Sequence, residues 1–496
     1  MHRPRRTHPN LIELNAFAFM DRLRRERGAG LTLSTVPTSV WEDLGEQGFS
    51  LVWLMGVWKR SPGSRACALS DPGLRQAYDR ALPGWTEDDV LGSPYAVFSY
   101  EVDPRLGSTE DLLLLRKTLG GLGMGLILDF VPNHLAIDHP WTARFPERFV
   151  RGSEAGLRND PGLFFTAAGG AVLAHGKDPY FPPWSDTVQL DHSSPEARDA
   201  LIAELERIAA LCDGVRCDMA MLVLNDVFRK NWGGFLPAAP APETEFWSDA
   251  IRRVKTDHPS FLFIAEAYWG LEPELQHLGF DYTYDKKLYD LMLHASAREV
   301  KAHLSAEEAF QEKCVRFVEN HDEKPAVKAF GRERSLAAAA IAATAPGLHL
   351  FHEGQTGGLA SHLPVQLARR AGEREDPVVG DFYRRLLSFS SGALPARRGW
   401  TPLDVKQAWE GDYSSENLLS WAWHGNGSLK IVCVNFSDET SRARLRIPPD
   451  FITPGPLTFR DAATDEIYVR TTEEILGGGL FVELAPWKAH LLDLLS

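Results

Sequence analysis

Four short polar segments of this 496-residue chain carry side chains able to act at a carbon centre. They are Asp129-Phe130-Val131-Pro132-Asn133-His134, Gly214-Val215-Arg216-Cys217-Asp218, Glu266-Ala267-Tyr268-Trp269 and Glu319-Asn320-His321-Asp322. An isolated Asp after a strand more often caps a turn or a helix. Here the acids recur, with an arginine and two histidines. One carboxylate can attack or activate an attacker while a second carboxylic acid protonates a leaving oxygen, the pairing that glycosidic cleavage needs. A third could stabilise a positive, oxocarbenium-like transition state and raise a neighbouring acid's pKa by repulsion. Arg216 lies two residues before Asp218, so on the same face of a strand, where its fork can orient that carboxylate.

Each segment sits at or just beyond the end of a predicted strand. Candidate strands run from Leu11 to Phe19, Ser50 to Met55, Gly125 to Val131, Gly214 to Met219, Phe261 to Ala265, Gly279 to Thr283, Val315 to Glu319 and Leu348 to His352. Helical patterns lie between them. Ser108 with Asp111 resembles a capping box ahead of Leu112, Leu115 and Leu119, and Ser194-Pro195 opens a helix with Leu201, Leu205 and Ile208 on one face. Strands fed by helices imply a buried parallel sheet, either open and doubly wound or closed. The count of eight and the polar strand exits favour a (β/α)8 TIM barrel, α/β in class, whose rim would gather the four segments.

The alternation breaks between His134 and about Leu190, a stretch of Pro, Gly, His and aromatic residues too long for an ordinary barrel loop. From about Gly399 onward alternating runs replace helical ones: Leu429 to Phe436, Ala443 to Ile447, Gly477 to Leu484 and Trp487 to Leu494. The expected organisation is barrel over 1–134 and 191–398, an inserted loop-rich subdomain over 135–190, and a C-terminal antiparallel β-sandwich over 399–496.

Composition narrows the function classes. A net charge of −14 opposes a general nucleic-acid role, and the basic cluster Arg3 to Arg6 reads as a solvated tail. The five cysteines, Cys67, Cys212, Cys217, Cys314 and Cys433, are scattered without Cys-x-x-Cys spacing, which points to a reducing, cytoplasmic setting rather than a zinc module or disulfide scaffold. No secretory signal and no membrane span is legible. His134, His139 and His175 with Asp138 and Asp178 form no compact metal motif. Cys217 alternates away from Asp218 and reads as core. The sequence leaves the oligomeric state open.

The four segments, in this order, resemble those of the α-amylase superfamily of retaining glycosidases and transglycosidases, glycoside hydrolase family 13-like. The resemblance implies Asp218 as nucleophile, Glu266 as general acid and base, and Asp322 as the residue that grips the distorted sugar. It implies that Arg216 orients the nucleophile, that His134 and His321 bind sugar hydroxyls, and that Tyr95 in Gly92-Ser93-Pro94-Tyr95 stacks under the sugar. Asp129 and Asn320 would support the architecture. Asn133 would help hold a structural calcium, with no cofactor needed for chemistry. Trp269 offers a stacking surface on the acceptor side.

Two departures from the family pattern are visible. Met221 and Leu222 stand where many starch-degrading relatives carry Lys and His, and His349 and Thr356 replace usual residues of the last strand motif. The implied reaction is hydrolysis of maltooligosaccharides or other short α-glucosides through a covalent glycosyl-enzyme. Transglycosylation is the alternative, ahead of sugar isomerisation or phosphorolysis. Intact Asp218, Glu266, Asp322 and Arg216 argue against an inactive carbohydrate-binding or regulatory barrel. The expected partner is an α-linked oligosaccharide, with neither nucleic acid nor membrane.

Overall fold

The computed structural model describes residues 8–236, 242–391, 399–425 and 428–495; the cluster Arg3 to Arg6 lies outside them. Eight parallel strands close into a barrel: β1 (Asn10–Asn15), β2 (Leu51–Met55), β3 (Gly125–Phe130), β4 (Gly214–Cys217), β5 (Leu262–Ala265), β6 (Tyr282–Tyr284), β7 (Cys314–Arg316) and β8 (Leu348–His352). Each pairs with the next in sequence, and β8 returns to β1 through Leu11↔Leu350 and Glu13↔His352. Strand alternation sorts the side chains into two cores. Leu11, Leu51, Trp53, Ile127, Ile264, Tyr284, Val315 and Leu350 fill the interior. Ile12, Val52, Leu128, Val215, Cys217 and Phe263 face the surrounding helices.

All eight strands form near their expected places, several of them shorter. The expected strand Leu11 to Phe19 stops at Asn15, whose side chain accepts from the amides of Phe17 and Ala18 and so caps the helix Ala16–Arg27. The strand expected to reach Met219 ends at Cys217, because Met219 turns to φ +43°. Gly279, at φ +112°, belongs to the turn ahead of β6 rather than to the strand. The strand expected from Val315 to Glu319 is Cys314–Arg316. Ser108 does cap the helix Thr109–Gly121, and Ser194 the helix Pro195–Ala209.

Between β3 and the helix Pro195–Ala209 the chain forms short antiparallel pairs, His134–Ala136 with Thr187–Gln189 and Phe164–Thr166 with Val172–Ala174, among three short helices. The C-terminal part contains a six-stranded and a three-stranded sheet, each antiparallel, over a shared core of Leu418, Ile431, Ala443, Leu445, Phe459 and Val482. The run expected as strand from Gly477 begins only at Leu480. Thr471 caps a helix Thr472–Gly478, and Gly479, at φ +83°, ends it. Trp421 and Trp423 anchor this sandwich to the barrel, their indole nitrogens donating to the Thr344 carbonyl at 3.1 and 2.8 Å. Among the described residues no helix is long and apolar enough to cross a membrane.

Candidate active site

Strand register assembles the first half of the site. Arg216 pairs with Asp129 on one side and Ile264 on the other, and Cys217 pairs with Ala265, so Asp218 and Glu266 emerge level at the carboxyl ends of β4 and β5. Backbone bonds extend the ladder past the strands: the Asp218 amide donates to the Phe130 carbonyl at 2.9 Å, and the Glu266 amide to that of Cys217 at 3.0 Å. Neither side chain therefore depends on a mobile loop for its position.

One guanidinium joins the two acids. Arg216, buried, places Nη1 2.8 Å from Asp218 Oδ1 and Nη2 2.7 Å from Glu266 Oε2. The rings of Trp53, Tyr95 and Tyr284 enclose the cation at 5.3, 5.1 and 5.6 Å. Glu266 Oε2 also accepts from the Met219 amide at 2.7 Å, and Oε1 from the Tyr268 hydroxyl at 2.7 Å. Met219 reaches that position in a left-handed conformation that a non-glycine residue adopts only at a cost. Burial pushes the Glu266 carboxyl up to about 7, with Arg216 opposing and Asp218 adding to the rise. Burial raises Asp218 as well, against the pull of Arg216.

The second half follows β7. The Asn320 side-chain oxygen accepts from the amides of Asp322 and Glu323, both at 2.9 Å, and fixes the turn that carries His321 and Asp322. His321 is buried; its Nε2 lies 3.1 Å from Asp322 Oδ2 and 2.7 Å from the Tyr95 hydroxyl. The Tyr95 ring stacks on the His321 ring, with centroids 5.2 Å apart. Asp322 is the open member of the three carboxylates, its side chain 50% exposed. Desolvation alone would raise it, but His321 draws it down to about 2. Burial would lower the imidazole; Asp322 and Glu13 outweigh that and hold it well above its ordinary value.

The supporting residues are placed as follows. Asp129 accepts from Trp53 Nε1 at 3.0 Å and from the Gly56 amide at 2.7 Å, tying β3 to β2 beneath Arg216. His134 packs against Trp184 of the insert, with centroids 4.9 Å apart, and burial lowers it to about 4, which keeps it neutral near pH 7. Trp269 stands at the rim, exposed, at φ +65°, and meets exposed Tyr180 of the insert edge-on at 5.1 Å. Tyr95, Arg216 and His321 thus join the carboxylates directly, whereas His134 and Trp269 flank them.

The calcium expectation meets a different donor set. Asn133 Oδ1 accepts from Gln189 Nε2 at 3.0 Å, and its amide group donates to Gln189 Oε1 at 3.3 Å. Calcium takes six to eight oxygen ligands, usually with carboxylates among them. The residues around Asn133 do not fit that requirement: the amide oxygen is already engaged, and a glutamine closes the barrel onto the insert. Among the described residues no group of three or more His, Cys, Asp and Glu is arranged to hold a metal. His175 is used structurally, its Nδ1 donating to the Thr187 carbonyl, and Asp178 accepts from the amides of Tyr180 and Phe181.

Met221 and Leu222, expected to leave apolar groups on the acceptor side, are buried in the turn Ala220–Val223 just beyond Asp218. Met221 packs into the core between the barrel and its surrounding helices. His349 likewise faces outward, between Asn10 Oδ1 at 2.9 Å and the Ala345 carbonyl at 2.8 Å.

Glu13, Trp53 and Tyr284 belong to the site without standing in any of the four segments, and Tyr268 stands in the third without a role assigned to it from the sequence. Tyr268 was the most accessible to sequence reasoning, two residues beyond Glu266. Glu13 had a weaker signal, a lone acid at an inward position of an otherwise apolar strand.

No protein-family model matches the chain. Among characterised proteins it is 24% identical over 388 residues to an α-amylase, MalA, of Haloarcula japonica, an alignment covering 74% of this chain and 51% of that protein. It is 30% identical over 189 residues to an α-1,4-glucan:maltose-1-phosphate maltosyltransferase of Myxococcus xanthus, covering 36% of this chain and 23% of that one. The chain thus spans about half the length, or less, of these relatives. Among solved structures, a maltogenic α-amylase from Thermotoga neapolitana superposes with a TM-score of 0.69 over 98% of this chain and 99% of that one, at 20% identity, a likeness of fold.

Proposed function

We propose that the chain is a member of the α-amylase superfamily and that it cleaves short α-glucosides with retention of configuration, through a glycosyl ester on Asp218. The observation that carries this reading is the single guanidinium of Arg216 between Asp218 and Glu266. Two carboxylates on adjacent prongs of one fork are held at close range, as a nucleophile and its partner acid must be; an inverting pair needs a wider gap for a water.

The chemistry runs in two steps. Asp218 attacks the anomeric carbon as the glycosidic bond breaks, and Glu266, protonated, gives its proton to the departing oxygen. The rise of Glu266 to about 7 suits a group that must be acid in this step and base in the next. Arg216 favours the ionised form of Asp218 that the attack requires. Asp322, held ionised beside His321, supplies negative charge for the oxocarbenium-like transition state and an acceptor for sugar hydroxyls. Glu266 then removes a proton from the incoming hydroxyl, which opens the ester and restores the starting charges.

The incoming hydroxyl is water in the first reading. Transfer to a second sugar is the alternative, supported by the maltosyltransferase match and by the exposed Trp269 and Tyr180 rings at the rim, which suit a stacked acceptor. Time-resolved product analysis with maltose, maltooligosaccharides, trehalose and sucrose, with and without added acceptor or phosphate, tests both. Release of the α-anomer before mutarotation is expected. Release of the β-anomer, or no turnover of any α-glucoside, overturns the proposal.

A further inference from the structure

Glu13 lies in β1 with no exposed surface, at an inward position between Leu11 and Asn15. A buried carboxylate is costly unless it is paired and hydrogen-bonded. Its partner is the site itself: Glu13 Oε1 lies 2.5 Å from His321 Nδ1, while Oε2 accepts no hydrogen bond from the described residues. The ring of Trp53, the residue opposite Glu13 on β2, meets His321 edge-on at 5.5 Å and limits its rotation. The carboxylate is thus spent on one imidazole nitrogen, and the other nitrogen faces Asp322 and Tyr95.

We propose that Glu13 is a positioning residue: it accepts the Nδ1 proton of His321 and fixes the ring so that Nε2–H points to Asp322 and to the sugar hydroxyl that docks beside it. The hydroxyl part of this inference rests on the function proposed above; the link from Glu13 to His321 does not. The imidazole is faced by Glu13 from β1, by Asp322 and Tyr95 at Nε2, by Asp129 of β3 across the barrel, and by His362, whose Nε2 donates to the His321 carbonyl at 2.9 Å. Two carboxylates favour the doubly protonated ring, in which both nitrogens donate. Without Glu13 the ring would be free to lose its Nδ1 proton or to turn, and Nε2 would no longer be a dependable donor.

The test compares wild type, Glu13→Gln, His321→Ala and the double variant in the full chain. Histidine-labelled protein is titrated by NMR, with His321→Ala assigning the resonance, and kcat and KM are measured on a short α-glucoside. In Glu13→Gln the His321 midpoint is expected to fall by about one unit or more, a tenfold change in its protonation equilibrium. kcat/KM is expected to fall about tenfold. In the His321→Ala background Glu13→Gln is expected to change kcat/KM by less than about twofold, since its effect passes through the missing ring. An unmoved His321 midpoint, or a Glu13→Gln loss that multiplies fully onto His321→Ala, overturns the inference. If Glu13→Gln does not fold, Glu13→Asp keeps the charge and shortens the reach. It should leave the midpoint raised while lowering kcat/KM, and a midpoint equal to that of free histidine in this variant would overturn the inference. A wild type that turns over no α-glucoside defeats the proposed function, while the titration result stands by itself.

Discussion

The two halves of the site hold their acids by opposite means. At the ends of β4 and β5, a permanent cation, Arg216, is shared by Asp218 and Glu266 and enclosed by three aromatic rings. Beyond β7, a titratable cation, His321, lies between Glu13 and the half-exposed Asp322. The first arrangement lets two buried acids differ in proton affinity while a fixed charge stays between them. The second keeps one acid ionised in a place open to the substrate. A nucleophile and a proton donor need the former; a group that grips a developing positive charge needs the latter.

The largest test of this contrast falls on Glu266. Glu266→Gln is expected to lower kcat/KM by roughly 10³-fold on substrates with poor leaving groups. A phenol-type leaving group, which needs no proton, should recover most of the first step. The sign of the pH dependence follows from the same group. With its pKa raised to about 7, Glu266 is the required acid below that pH and is lost as an acid above it. The alkaline limb of kcat/KM should therefore sit near pH 7 and vanish in Glu266→Gln; an unchanged limb would assign it elsewhere.

A smaller effect is expected from Arg216→Lys. An ammonium cannot place two prongs on two carboxylates. The displaced acids should reduce kcat by something on the order of 10²-fold. Because Arg216 opposes the rise of Glu266, loss of its Nη2 contact should move the alkaline limb to higher pH. A limb that stays in place would mean that the shared cation does not tune the acid, and the comparison drawn above would fail on that side.

Much of the barrel is legible because four of its strand exits are punctuated by residues with a chemical reason to be there. Arg216 and Asp218 share a face by simple alternation, and the same alternation turns Cys217 into the outer core. Where the reading failed, a local cap or a long-range pair decided the outcome. Asn15 ends β1 by capping a helix, although the apolar run continues to Phe19. Asn133 finds Gln189, 56 residues later, and no spacing rule within the Asp129 to His134 segment announces that amide pair. Glu13 carries no such spacing signal, because its partner, His321, is 308 residues away and only barrel closure brings the two together.

Covalent attachment of the sugar to Asp218 is the central step of the proposed mechanism and can be observed directly. Glu266→Gln, mixed with an α-glucosyl fluoride, can form the ester without acid assistance and lacks the base that would hydrolyse it. Intact-protein mass should rise by one glucosyl residue, and peptide mapping should place it on Asp218. Consumption of the fluoride with no adduct, or with the adduct on another residue, would contradict the account.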